Sequence, residues 1–334
     1  MATMKDVARK ARVSVTTVSA TLSGVKPVSP VLKQRVLAAI DELGYHRNSI
    51  ASGLKRGRTS LIGLIVPDIT NPFFTEFVEH VQRYAMEQGQ TCLLGISNAD
   101  TKREKNLLRH MRSNQVAGLI LCPTGGAQDY QTLNTDCGPM KLVVANNAMP
   151  DMAFDTIMLD NVQAATLATQ HILSFGHKRI AIINGPLVQE PAKQRQAGFL
   201  QTIKRAGLTV SDSLIEHGDF REQTGYIAGQ KLLALTERPT AIFVANNQML
   251  IGLMRAIADS NLVVPQDISV VSIDDFSWAT AFRPTLTIIR QPIEAMAATA
   301  FSILQDRIAG KGAEPHHAIF QPELIIRQSC KSPA

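Results

Sequence analysis

At 334 residues, 45% apolar and 19% charged, the chain is too long for one ordinary core and too apolar to be disordered, which points to two or three folded domains. No apolar run approaches the roughly 18 residues of a membrane span, and the opening Met1-Ala2-Thr3-Met4-Lys5-Asp6 has no apolar signal region, so a cytoplasmic protein is expected. Of 34 Lys/Arg and 28 Asp/Glu, eleven bases but only three acids fall in residues 1–58, leaving 23 bases against 25 acids for the remainder. A cationic head on a near-neutral body is the charge sorting expected when one part meets a polyanion, and it points to nucleic acid.

The head reads as three short helices. Thr3 can cap the first, with Asp6 favouring its exposed N–H groups, and Val7, Ala8 and Ala11 share one face. Val13-Ser14 makes a turn, and Ser14 can cap a second helix running from Val15 to Leu22. Gly24 and Pro27 break the pattern. Ser29 as N-cap and Pro30 at the first position open a third helix through Val36, Ala39, Ile40 and Leu43, which stops at Gly44. Two helices joined by so short a turn are a helix-turn-helix. In the second, Val18 and Leu22 are spaced to face the core, while Val15, Thr16, Thr17, Ser19 and Ala20 leave a face of small side chains. Such a face can sink into the DNA major groove, N-terminal residues first. A three-helix protein-interaction domain is the competing reading. After it comes a segment ending in Lys55, Arg56 and Arg58, which by itself reads equally as a flexible basic linker.

From Leu61 the period changes. Buried-strand runs are expected at Leu61–Val66, Thr91–Ile96, 118–122, 142–145, 180–183, Ala241–Val244 and Ser269–Ile273. Helical stretches lie between most of them, beginning with the stripe Phe73, Phe74, Phe77, Val78, Val81 and Tyr84 and recurring near 102–112, 162–174, 194–206, 225–235 and 249–259. This alternation predicts an α/β fold: a small all-α helix-turn-helix head plus two doubly wound parallel α/β subdomains, with ligand in a crevice at the strands' carboxyl ends. No dinucleotide fingerprint, phosphate loop, nucleophile elbow or paired-His metal motif occurs, so no catalytic residue, cofactor or metal is expected. Thr124-Gly125-Gly126 reads as a turn. His177 is expected to satisfy a helix end, and the four scattered cysteines to be buried, reduced thiols.

Several stretches, in order, resemble the lactose-repressor family of bacterial transcription regulators, most of all its purine- and cytidine-repressor branch. They are Met4-Lys5-Asp6-Val7-Ala8, Val13-Ser14-Val15-Thr16-Thr17-Val18-Ser19 and Ala38-Ala39-Ile40-Asp41-Glu42-Leu43-Gly44-Tyr45 in the head. In the body they are Pro67-Asp68-Ile69-Thr70-Asn71-Pro72-Phe73-Phe74, Leu159-Asp160-Asn161, Phe175-Gly176-His177-Lys178-Arg179, Gly218-Asp219-Phe220, Val264-Pro265-Gln266-Asp267 and Leu286-Thr287-Ile288-Ile289. The resemblance implies a helix-turn-helix domain over 1–45, a hinge over 46–59 and a periplasmic-binding-protein-like core over 60–330. The core divides into an N-subdomain (about 60–160 plus 290–320) and a C-subdomain (about 161–289 plus 321–330).

By the same resemblance, Val15, Thr16 and Ala20 read bases, with Thr3, Ser14, Thr17, Ser19, Leu54 and Lys55 completing the DNA contacts. Leu54 is the apolar wedge of a hinge helix that forms on the minor groove. A methyl at Ala20 suits contact with a thymine better than a hydrogen bond, and a left-handed backbone at Arg12 would carry modest strain. The implied effector contacts are Asn71, Phe73, Phe74, Asn146, Asp160, Gln189, Arg195, Phe220, Asn246 and Asp274, a set suited to a sugar or sugar derivative first and a nucleoside second. The partners so implied are a near-palindromic double-stranded operator, a small-molecule effector and a second copy of the chain. Departures from the family pattern are Arg47, Ser52 and Gly53 in the hinge, Asn247 for an Asp, and Gln189 with Pro191 where a purine would be gripped. A stand-alone solute-binding protein and an α/β enzyme with a DNA-binding appendage are the rival readings; the basic head opposes the first and the missing reactive constellation the second.

Overall fold

The structure, a computed structural model, describes residues 2–23, 26–45, 59–147 and 154–333. The chain divides into two compact units, the boundary falling between Thr59 and Ser60.

In the first unit α1 (Met4–Ala11), α2 (Val15–Ser23) and α3 (Pro30–Glu42) close around Val7, Ala8, Ala11, Val18, Val36 and Ala39. Thr3 and Asp6 form a capping box: the Asp6 N–H donates to Thr3 Oγ1 at 3.3 Å and the Thr3 N–H to Asp6 Oδ2 at 3.0 Å. The Thr3 hydroxyl, and after it the Thr3 N–H, donates to the Asp6 carboxyl and holds it below its ordinary range. α1 ends at Arg12, whose φ of 51° is left-handed. Arg35 steadies that strained end by donating Nη2 to the carbonyls of Ala11 and Arg12 at 2.6 and 3.3 Å, two groups a helix terminus leaves without partners. Ser29 caps α3, with Pro30 at its first position, and the left-handed Gly44 follows its end.

The second unit holds two six-stranded sheets. The first has the order β11-β5-β4-β3-β1-β2, from β1 (Leu61–Val66), β2 (Thr91–Ile96), β3 (Gly118–Leu121), β4 (Lys141–Ala145), β5 (Asp155–Leu159) and β11 (His317–Phe320). The second, β12-β10-β9-β8-β6-β7, takes β6 (Ile180–Asn184), β7 (Ile215–His217), β8 (Ala241–Val244), β9 (Ser269–Ile273), β10 (Thr287–Arg290) and β12 (Glu323–Ile325). Every pairing is parallel except β10 with β12. The helices are α4 (Pro72–Glu87), α5 (Thr101–Ser113), α6 (Leu133–Cys137), α7 (Asn161–Ser174), α8 (Glu190–Arg205), α9 (Glu222–Leu233), α10 (Asn247–Asp259) and α11 (Ile293–Ile308). The central strands β1, β3, β4, β5, β6, β8 and β9 are buried on both faces, as sheets covered by helices on each side require. The chain passes between the two lobes three times: from β5 into α7, from β10 into α11, and from β11 into β12.

His177 does not satisfy a helix end. Its ring sits beyond α7, with Nδ1 2.8 Å from Thr240 Oγ1 and Nε2 2.9 Å from the Lys331 carbonyl and 3.1 Å from Ser269 Oγ, so it ties the chain's last residues to the second sheet. The cysteines are free; Cys122, Cys137 and Cys330 are buried and Cys92 half-buried, and desolvation pushes the Cys92 thiol up to about 11. No described helix is long and apolar enough to cross a membrane.

Candidate functional site

Two sites emerge, one in each unit. In the head, Ser14 Oγ accepts the Thr17 N–H at 3.1 Å and lies 2.9 Å from Thr17 Oγ1, while the Thr3 hydroxyl donates to Asp6 at 2.6 Å. Thr3, Ser14 and Thr17 therefore carry helix caps. Val15 (40% exposed), Thr16 and Ser19 face solvent, Ala20 is half-buried at the edge of that face, and Val18 is fully buried opposite. The result is a short, uncharged, shallow surface one helical turn long. Leu54 and Lys55, with Arg47, Ser52 and Gly53, lie outside the described residues.

In the body, nine of the ten expected effector residues line one cleft between the lobes, a cavity of about 80 Å³. They arrive there because the parallel strands end on that side. Asn71 caps α4, Gln189 and Arg195 stand on the first turns of α8, Asn246 caps α10, and Asn146 and Asp274 follow β4 and β9. Asn146, Phe220 and Asp274 have φ of 68°, 67° and 75°, so three non-glycine residues in the left-handed region meet in one cleft. Backbone strain of this kind persists where a site dictates side-chain direction.

Arg195 is the centre of the cleft. It is almost wholly buried, donating Nε to Asn161 Oδ1 at 2.8 Å and Nη1 to the Ala245 carbonyl at 2.6 Å, with the Phe220 ring 5.9 Å from its guanidinium carbon. Burial pulls its pKa down while the Asp274 carboxylate pulls it up. Burial likewise pushes the Asp274 carboxyl above its ordinary range, against Arg195 and the side-chain amide of Gln291, which hold it down. A cation and an anion both stripped of water, beside an aromatic face, recognise a neutral ligand that can donate and accept hydrogen bonds around an apolar side.

Other expected residues play mixed parts. Phe73 and Phe74 line the cleft and also belong to the first lobe's core, their rings 5.0 Å apart edge to face. Asn71 Oδ1 accepts the Phe73 N–H, and Asn246 accepts from Met249 and donates to the Phe220 carbonyl, so both amides hold the backbone of the cleft wall. Gln189 donates across the cleft to the Thr124 carbonyl at 2.9 Å; beside it Asn147 Oδ1 accepts the Glu190 N–H at 3.1 Å. Asp160 is the exception. It caps α7, accepting the Gln163 N–H at 2.8 Å, and is not on the cleft wall. Its neighbour Asn161 faces inward and orients Arg195 instead.

Sequence reasoning missed Asn161 and Gln291. Gln291 lines the cleft, and its carbonyl oxygen is buried without a partner among the described residues. Asn247, standing for an Asp, is also buried, neither of its polar side-chain atoms having a described partner. The loop at Thr124-Gly125-Gly126 is no phosphate cradle: its N–H groups already donate to Glu104, the Tyr130 hydroxyl and Asp129. Among the described residues no His, Cys, Asp and Glu group could hold a metal ion.

The pattern of the family described as "Bacterial regulatory proteins, lacI family" matches residues 3–48, and that of a periplasmic binding protein-like domain matches residues 169–330. The chain is 34% identical over 331 residues to the transcriptional repressor PurR of Photobacterium profundum, covering 99% of each. It is 36% identical over 329 residues to the ribose operon repressor of Escherichia coli K12, covering 98% of this chain and 100% of that one. Among solved structures, a lac repressor dimer bound to operator and the anti-inducer ONPF superposes with a TM-score of 0.89 at 26% identity over 99% of both chains. A CelR–cellobiose complex gives 0.75 at 28% identity over 98% of this chain and 100% of that one.

Proposed function

The chain belongs to the lacI family of bacterial regulatory proteins, the DNA-binding transcriptional regulators, and from that premise we propose that it is a repressor whose operator grip is set by a carbohydrate held between its lobes. The observation that carries the effector half is the buried Arg195 and Asp274 facing Phe220 in the interlobe cleft. Two copies bind a near-palindromic operator, since two-fold protein symmetry matches paired half-sites. Val15, Thr16 and Ala20 read base edges from α2, and Leu54 wedges into the minor groove. The protein works in the cytoplasm and binds its small molecule without transforming it.

The effector shifts operator affinity only through a difference in its own affinity for the two states of the lobes, and the coupling runs both ways. The cross-cleft bonds from Gln189 and Glu190 are the contacts a change of lobe closure makes or breaks. A pentose is the first probe, because a close relative is named a ribose operon repressor. The test is a gel shift with the duplex upstream of the protein's own gene, with and without ribose, other aldoses and cellobiose. A discrete complex whose affinity one sugar changes supports the reading. No site preference at low salt with any sugar present would overturn it.

A further inference from the structure

We propose that the outward face of α5 is a second polyanion-binding surface, and that its occupant is the phosphate backbone of duplex DNA, met without sequence preference. Within Thr101–Ser113 stand five bases, Lys102, Arg103, Lys105, Arg109 and Arg112, and a single acid, Glu104. That is five of the 23 bases in a body where acids outnumber bases. Glu104 is fully buried beneath the helix with Leu108 and Met111, so the solvent face of α5 carries no carboxylate. Lys102, Lys105, Arg109 and Arg112 repeat at i, i+3, i+7 and i+10, which places them in one stripe.

Nothing nearby neutralises the stripe. No ion pair among the described residues involves any of the five. Asp100 caps the helix, accepting the N–H groups of Lys102 and Arg103 at 2.7 and 3.1 Å, and Asp136 on α6 accepts the Thr132 hydroxyl at 2.9 Å. Arg109 donates to Asn106 Oδ1 at 3.1 Å and Arg112 to the Thr135 carbonyl at 3.3 Å, neutral acceptors that leave both charges in place.

The helix gains from Arg112 in its last turn but not from the bases that precede it. Lys102 and Arg103 occupy the first turn, where the macrodipole favours acids. Lys102 with Lys105, Lys105 with Arg109, and Arg109 with Arg112 are like charges at neighbouring positions, each pair weakening the helix. Solubility is met equally well by mixed signs. A ligand of opposite sign accounts for what stability and solubility do not.

The chemistry of the face selects the ligand. A protein partner needs an apolar or large aromatic centre to anchor on, whereas among these cations stand Asn106, His110 and Ser113, with Asn114 just beyond, and Leu107 is half-buried. Lys102 to Arg112 spans about 15 Å of helix, and one DNA strand carries a phosphate per about 3.4 Å of duplex axis while winding around it. A few successive phosphates of one strand are therefore in reach. Duplex DNA is also the polyanion the chain meets if the proposed function holds, and the choice of occupant rests on that reading.

The test uses the full chain and a labelled duplex of about 40 base pairs of scrambled sequence, with affinity followed by anisotropy from about 50 to 200 mM salt. In K102Q/K105Q/R109Q the slope of log affinity against log salt should become shallower by about two to three, and affinity at the lowest salt should fall about tenfold or more. K178Q/K204Q/R205Q removes the same charge from exposed sites in the other lobe and should match the wild type. Glutamine is a good helix former; should the triple variant nonetheless melt early, R109Q alone should change the slope by about one. An unchanged slope in the α5 variants, or an equal change in both triple variants, overturns the proposal. So does an unchanged slope with lost binding of a poly-glutamate peptide, which would assign the face to an acidic protein. A wild-type chain that binds no duplex would overturn the proposed function first and this occupant with it.

Discussion

On α2 the side chains left for a partner are Val15, Thr16 and Ser19, exposed, short and uncharged, whereas the interlobe cleft is built around Arg195 and Asp274, charged and almost wholly buried. The difference follows from what each ligand brings. Duplex DNA arrives with its own charge and rigid groove, so the head needs only caps that hold α2 straight and a surface shallow enough to enter. A small neutral molecule brings neither, so the body must supply fixed donors and acceptors. Desolvating those groups is costly unless other protein groups bond them. Substitutions in the cleft should therefore change stability and ligand response together, and substitutions on α2 should separate the two.

The largest effect is expected at Arg195. Arg195→Ala removes the cation that draws the Asp274 carboxyl down against burial, and leaves Asn161 Oδ1 and the Ala245 carbonyl without their donor. Breaking so buried a charge arrangement costs about 3 kcal/mol or more. Thermal melting should show the loss, and gel shifts should show a complex that no sugar alters. A variant that keeps both its melting temperature and its sugar response would remove Arg195 from the centre of the site.

Next comes Asp275, which follows Asp274 in sequence and has the opposite environment. Burial alone would raise its carboxyl, but bonds from Arg327 at 2.9 Å and Arg290 at 2.8 Å outweigh burial and hold it below the ordinary range. Arg290 ends β10 at the crossover into α11 and Arg327 follows β12, so this carboxylate ties together the ends of two strands of the second sheet. A lowered native pKa means the stabilisation is present above the unfolded value, near 3.8, and disappears as pH falls through the native one. Asp275→Asn should cost about 1–3 kcal/mol at pH 7 and flatten the decline in melting temperature below about pH 4. An acid limb as steep as the wild type's would assign it to other carboxylates, Asp155 beneath Arg307 first among them.

A smaller loss is expected where the head's own scaffold is touched. Thr3→Ala deletes one half of the capping box and should lower the stability of the first unit by about 1 kcal/mol, measured as faster amide exchange through α1. Exchange in the body should not change, because the two units have separate cores.

How far the sequence discloses all this depends on the range of the signal. Caps are local: Thr3, Ser14 and Ser29 each bond a residue three positions on, and each was legible. Most central strands were legible because burial on both faces writes continuous apolar runs such as Leu61–Val66. But β5 and β10, central and buried as well, were missed, their short apolar runs being interrupted by Asp155 and Thr156 and by Thr287 and Arg290. The edge strands β11 and β12 are three or four residues long and partly exposed, so no run marks them. In α11 the stretch Ala295-Met296-Ala297-Ala298-Thr299-Ala300 is small and apolar on nearly every side and hides the helical period. Gln291 and Asn161 act through Asp274 and Arg195, 17 and 34 residues away, and only the fold brings such pairs together. Asp160 shows the limit of resemblance: the motif around it is present, yet its carboxylate caps α7 and the next residue bonds Arg195 from behind the cleft wall.

The smallest change in stability is expected on the reading face itself. Thr16 is exposed, and its side chain takes no part in the bond from Ser14 that starts α2. Thr16→Ala should leave the melting temperature nearly unchanged, within about 0.5 kcal/mol. Operator affinity should nonetheless fall by about 1–3 kcal/mol if the hydroxyl bonds a base edge, while affinity for a scrambled duplex stays constant because phosphate contacts are untouched. A parallel loss on both duplexes would mean that Thr16 positions the head on the backbone, and base reading would then move to Val15 and Ala20. An unaltered affinity for both would place the reading face elsewhere on α2, since nothing buried depends on this hydroxyl to obscure the result.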